Sequence, residues 1–233
     1  TDWADSNDAY EEAVLNYTRH LLSPDNPAFL QDFVSTLQPF IRAGLVNSLT
    51  QTVVKLTAPG VPDIYQGSEA LNFSLVDPDN RREPDFAALE KMLDGFEKPT
   101  AATEQDWLSG RVNQHAIAKT LRLRQEKPAL FRKGDYLPLT ATGTWARNVI
   151  TFARVNGDDA LIVITPRLVL GLLQESNSLP HKQRFSGTAI ALPDALANRR
   201  YRDILSGEEI ALTDRLTLES VDCCSAVILV SLP

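Results

Sequence analysis

The chain has 233 residues, enough for one large domain or two modest ones, and its 43% apolar content suffices for a buried core. Against 23 Lys and Arg stand 30 Asp and Glu, a net charge of −7 that argues against the basic surface nucleic-acid binding needs. No apolar run approaches the roughly 20 residues that span a bilayer.

Thr1 stands where an initiator Met would, and "TDWADSNDAYEEAV" reads as neither signal nor transit peptide, so a piece of a longer polypeptide is expected. A helix opening near Ser6 or Asn7 follows, with Tyr10, Val14, Tyr17 and Leu21 at three- and four-residue steps. After "SPDNP", Asn26 before Pro27 signals a second helix whose stripe is Phe29, Phe33, Leu37, Phe40, Ile41 and Leu45. Pro39 and Gly44 predict a kink or break, with a further helix over 45–56. "VPDIYQG" is too short for a helix and is flanked by Pro and Gly, so 61–65 reads as a buried strand. Helical signals resume over 84–96 and 107–131.

From Gly134 onward "NVITFARV", "DALIVITP", "GTAIALP", "EIALTD", "DRLTLES" and "SAVILVSLP" are short β-rich runs between turn signals such as "NGDD" and "SGEE". They predict an antiparallel sandwich with "ALIVIT" as a central strand buried on both faces. The expected organisation is an α/β part over 1–133 and an all-β domain over 134–233. Adjacent Cys223 and Cys224 point to opposite strand faces, which fits two unbridged thiols in a reducing, cytoplasmic setting.

The polar loop "SLVDPDNRREPDF" is the chemically richest stretch. It carries Asp77, Asp79, Asn80, Arg81 and Arg82, with Pro78 and Pro84 to stiffen them. Carboxylates, amides and guanidinium forks are what a protein uses to hydrogen-bond several hydroxyls at once. The same residues could instead pair among themselves and order a surface loop. A calcium loop fits poorly, because Arg81 and Arg82 occupy a ligand position and the required Gly. His20, His115 and His181 stand alone and read as structural, Trp107 and Trp145 as packing residues, and "RLRQEK" as a solvated helix face.

"LTAPGVPDIYQGSE" resembles the eighth-strand segment of α-amylase-like (β/α)8 barrels, and "LRLRQEKPALFRKGDYLPL" with "VITFARVNGDDALIVITPR" resembles their last helix and C-terminal β-sandwich. More narrowly, "IRAGLVNSLTQTVVKLTAPGVPDIYQGSE" with "FSLVDPDNRR" resembles the maltooligosyltrehalose synthases, apart from Glu83 between the arginine pair and Pro84. The resemblance implies a C-terminal portion: the last helices and eighth strand of the barrel, then the sandwich. It implies an intramolecular glucosyl mutase that turns the reducing-end α-1,4 linkage of a maltooligosaccharide into an α,α-1,1 linkage by a retaining scheme. No metal or organic cofactor is implied, and the substrate and the N-terminal part of the same protein are the implied partners. The three catalytic carboxylates would precede Thr1, so no catalytic residue is assigned within the chain. Asp77, Asp79, Asn80, Arg81 and Arg82 become candidate sugar contacts, with Tyr65, Gln66 and Glu69 lining or supporting the same wall. Another hydrolase or glucosyltransferase of that superfamily, or a non-catalytic glucan-binding module, are the competing readings.

Overall fold

The first helix of the computed structural model, α1 (Asp8–Leu21), starts where its cap predicts: the Asn7 side chain accepts the Tyr10 N–H at 3.1 Å. The structure describes residues 1–2, 4–74, 81–94, 102–173, 182–222 and 225–233. Helix α2 (Pro27–Thr57) opens at the expected proline. It then runs unbroken through Pro39 and Gly44, where a kink or break is expected from sequence. An internal proline forfeits one hydrogen bond and a glycine costs about 1 kcal/mol. The second half of the helix outweighs both, because Val46, Leu49, Val53 and Leu56, all fully buried, keep one helical phase.

The chain divides into two compact units, Thr1–Arg42 and Ala43–Pro233. Within the first, Phe29 and Phe33 stack at 5.6 Å, and the stripe of α1 stays exposed at Tyr10, Val14 and Tyr17. No helix of the described residues is long and apolar enough to cross a membrane.

In the second unit α3 (Phe86–Asp94) is followed by three helices where one is expected over 107–131: α4 (Glu104–Leu108), α5 (Arg111–Glu126) and α6 (Pro128–Lys133). The causes are local. Thr103 and Asp106 form a capping box that starts α4 early. Gly110 takes a left-handed conformation that stops it, and Pro128 drives Lys127 out of the helical region.

The remainder forms two antiparallel sheets. Six strands lie in the order β1 (Asp135–Pro138), β3 (Val149–Asn156), β4 (Asp159–Pro166), β9 (Val227–Ser231), β6 (Arg199–Asp203) and β7 (Glu209–Leu212). Three more are ordered β2 (Ala141–Thr142), β5 (Ala189–Ala191) and β8 (Arg215–Thr217). The β3–β4 hairpin turns at "NGDD", pairing Asn156 with Asp159 across Gly157, whose φ is 60°. β4 is buried from Ala160 to Pro166 and sits between β3 and β9, the central strand expected from "ALIVIT". β6 escapes the sequence patterning because its outward residues are Arg200 and Arg202, paired with Glu209 at 2.6 and 2.7 Å, while Tyr201 and Asp203 point inward. Buried Tyr201 donates its hydroxyl to the Leu196 carbonyl, and burial pushes its pKa up to about 12. Helices and sheets share one apolar core, from Val46 and Trp107 through Leu130 to Ile162 and Leu229. Trp107 is a core residue, as its sequence context suggests.

Candidate functional site

The segment that leads to the polar loop begins at the C-terminus of α2, whose last carbonyls are unsatisfied within the helix. Two arginines collect them. Arg124 of α5 donates from Nη1 to the Leu56 carbonyl at 2.7 Å and lies 4.6 Å above the Phe131 ring. Arg154 of β3, 2% exposed, donates from Nη1 to the Thr57 carbonyl at 3.3 Å. Its Nη2 donates to the carbonyls of Phe131 and Gly134, each at 3.0 Å, and its Nε to Gly134 at 3.3 Å. Burial pushes both guanidinium groups below the ordinary arginine value, and the charge of Arg154 adds to the effect on Arg124. Their counter-charge is the negative end of the helix dipole. Arg124 belongs to "RLRQEK", so that stretch is not simply a solvated face; Lys127, at its end, reaches the Asp159 carboxylate.

Beyond Thr57 the chain bends over residues 58–60, where Gly60 has φ of 128°, and then runs on through Pro62 to Tyr65. Residues 61–65 alternate in burial, with Val61 94% exposed and Tyr65 50% exposed, while Pro62 and Ile64 are half-buried. This corrects the expected buried strand. Among the described residues no neighbouring strand offers a ladder, so only the period-2 extended conformation remains.

The extended run ends in a tight turn. The Tyr65 carbonyl accepts both the Ser68 N–H, at 3.1 Å, and the Ser68 hydroxyl, at 2.5 Å. Gly67 has φ of 78° at the third turn position, as a type II turn requires. A Cβ on Gly67 would lie 2.9 Å from Pro84 Cγ, so the chain returning from the polar loop rests directly on this turn. One step further, Ala70 and Leu71 press on Gly110, where a Cβ would come within 2.6 Å of the Leu71 nitrogen. Helix α3, which follows Pro84, is capped by Asp85 accepting from the Ala88 N–H at 2.9 Å. It is tied to α5 by the Gln114 amide donating to the Leu89 carbonyl at 2.7 Å.

Three of the sequence candidates, Tyr65, Gln66 and Glu69, therefore sit in or beside one turn. Arg81 and Arg82, both exposed, lie two to three residues before the Pro84 contact. Asp77, Asp79 and Asn80 lie outside the described residues, as do Cys223, Cys224 and His181. Glu69 is half-buried, and its Oε2 is shielded from solvent with no hydrogen-bond partner among the described residues. A carboxylate oxygen in that state is a strong acceptor awaiting a donor. Phenol, amide, carboxylate and guanidinium groups together can hydrogen-bond hydroxyls. Among the described residues no cluster of three or more His, Cys, Asp or Glu could hold a metal. His115 is buried and structural, donating from Nε2 to the Leu205 carbonyl at 3.2 Å.

Sequence reasoning misses the residues that position this segment: Arg124, Arg154 and Gly110. A signal exists for Arg154, a charged residue sharing the strand face of Phe152 in an otherwise apolar run. Arg124 and Gly110 carry no such mark.

No protein-family model matches the chain. Two curated proteins from Mycobacterium tuberculosis strains, each named a maltooligosyl trehalose synthase, are 34% identical to it over 165 residues, 71% of this chain and 19% of theirs. The maltooligosyltrehalose synthase structure from Arthrobacter ramosus is 32% identical and superimposes with a TM-score of 0.76, over 100% of this chain and 28% of that one. A further maltooligosyl trehalose synthase structure, 25% identical, gives a TM-score of 0.67 over the same share of each chain. The chain thus spans about a fifth of the length of the curated relatives it matches, and it is homologous in sequence and fold to the maltooligosyl trehalose synthases.

Proposed function

We propose that this chain forms one wall of the active cavity of an intramolecular glucosyl mutase, which moves the reducing-end glucose of a maltooligosaccharide from an α-1,4 to an α,α-1,1 linkage. In this reading residues 1–133 are the C-terminal part of an α-amylase-like barrel, in which the run at 61–65 takes the eighth-strand place only beside strands from the rest of the enzyme, and residues 134–233 are the β-sandwich domain that follows. The catalytic carboxylates, nucleophile and acid, come from the rest of the enzyme, outside these 233 residues. Tyr65, Gln66, Glu69, Asp77, Asp79, Asn80, Arg81 and Arg82 hold the released glucose while it turns to present its anomeric hydroxyl. Water must stay out during that turn, since hydrolysis competes for the same glycosyl intermediate.

The supporting observation is the convergence of two arms at the Gly67–Pro84 contact: the turn bearing Tyr65, Gln66 and Glu69, and the returning chain bearing Arg81 and Arg82. In that turn the Glu69 carboxylate keeps an oxygen without a partner among the described residues, ready for a sugar hydroxyl.

The test uses the full-length enzyme with maltopentaose. Wild type should yield a non-reducing product with little free glucose. Arg81→Ala or Asp79→Ala should cut product formation about 10- to 100-fold, the range for one lost charge-assisted contact, and raise the glucose share. If neither quantity moves in either variant, the assignment of the loop is wrong.

A further inference from the structure

The Arg154 side chain joins parts of the molecule that the proposed function keeps apart. It stands on β3, in the six-stranded sheet, yet its donors go to the end of α2 and to the junction between α6 and β1. Four hydrogen bonds reach three carbonyls on two chain segments, and a side chain 2% exposed has no water to fall back on. Such a group has one conformation. Arg124 reinforces it from α5 by taking the preceding carbonyl, that of Leu56.

The segment after Thr57 is suited to transmit that orientation. The chain bends over 58–60, where Pro59 fixes one φ and Gly60 takes 128°, and then runs without a bend through 61–65, where Pro62 fixes another φ, so a shift at the Thr57 carbonyl is carried into that run. At up to about 17 Å for the five residues 61–65, a tilt of about 5° at the base moves the far end by about 1.5 Å. A misplacement of about 1 Å in a positioning group can cost about 100-fold in rate.

We infer that Arg154, assisted by Arg124, is a positioning residue for the sugar-facing turn at 65–69: through it the terminal sheet sets where Tyr65, Gln66 and Glu69 stand. The inference rests on the function proposed above. It gives the sheet a part in deciding between transfer and hydrolysis, because a wall displaced by an ångström or two admits water beside the intermediate.

Arg154→Lys and Arg154→Met, made in the full-length enzyme, test this. Three quantities are read: the ratio of free glucose to non-reducing product from maltopentaose, kcat and KM separately, and amide exchange over 58–74. A lysine reaches one carbonyl where the guanidinium reaches three. The Lys variant should raise the glucose ratio at least five-fold, lower kcat about ten-fold with KM within two-fold, and speed exchange over 58–74. Ile162→Val in β4 of the same sheet serves as the stability control and should leave the ratio unchanged at a comparable loss of melting temperature. If the Lys variant melts lower but keeps the wild-type ratio and exchange, Arg154 is structural only and the inference fails. Should both Arg154 variants fail to fold, Arg124→Lys decides: an unchanged ratio and exchange overturn the inference, and a raised ratio supports it. Wild-type enzyme making no non-reducing product would sink the proposed function instead, and exchange over 58–74 would still judge the role of Arg154.

Discussion

The strand β4 and the run at 61–65 are both short, apolar-rich and bounded by turn residues, and they end in opposite states. β4 has a strand on each side, and its residues from Ala160 to Ile164 are fully buried. The run at 61–65 has no ladder among the described residues, shows Val61 and Tyr65 to solvent, and leads to a glutamate with an unsatisfied oxygen. One region meets its packing and hydrogen-bonding needs from within the chain. The other is oriented by neighbours at its ends and leaves its polar groups for something else to satisfy. Stability is concentrated in the first, and under the proposed function recognition falls to the second.

The sharpest way to break this contrast is to hollow out the sheet. Ile162→Ala removes a fully buried side chain from β4 and should cost about 2–5 kcal/mol, read from denaturant midpoints. A loss below about 1 kcal/mol would mean that the sheet is not the stable half. Next in size is Gly110→Ala. The new Cβ would meet the Leu71 nitrogen at 2.6 Å on a backbone with φ of 79°, so about 1–3 kcal/mol is expected, together with faster exchange at the Leu71 amide. Wild-type exchange there would show that Gly110 does not hold the segment.

The smallest effect concerns pH and the packing of α5 against the sheet. Burial, and to a lesser degree the charges of Lys119 and Arg122, hold the His115 imidazole below its ordinary value of 6.5, against the raising effect of its bond to Leu205. The unfolded chain then binds the proton more readily than the folded one. The stability contributed is complete above about pH 6.5 and declines as the pH falls through the interval below it. His115→Gln should flatten that part of the stability–pH curve, with thermal melts from pH 7.5 to 5 as the measurement. A curve of unchanged slope would remove His115 from the account.

Local signals in the sequence carry far. The caps at Asn7 and Pro27, the "NGDD" turn and the double-sided burial of β4 all arise from side-chain chemistry within a few residues. The features that escape are decided at a distance. α2 crosses Pro39 because a buried stripe further along the same helix holds it. The extended segment at 61–65 reads as a buried strand because its shortness and its flanking Pro and Gly report conformation and not the presence of a neighbour. The candidate residues Tyr65, Gln66 and Glu69 come only through the resemblance to the maltooligosyltrehalose synthases, and the structure gathers them in and beside one turn. The contacts of the arginines at the base of that segment are not legible, since Arg124 and Arg154 lie 68 and 97 residues from the carbonyls of Leu56 and Thr57.

Asp203 ties a loop to strand β9 through acceptors alone. Its two carboxylate oxygens receive the amides of Leu205, Ser206 and Ile228 and the hydroxyl of Ser206, so every contact delivers hydrogen to oxygen. An asparagine would fill the same volume and still fail, because its NH2 would confront N–H groups that have nowhere to turn. The same loop offers the Leu205 carbonyl to His115. Swapping one oxygen for nitrogen at position 203 would therefore unsettle a helix on the far side of that loop, with no change in bulk at all.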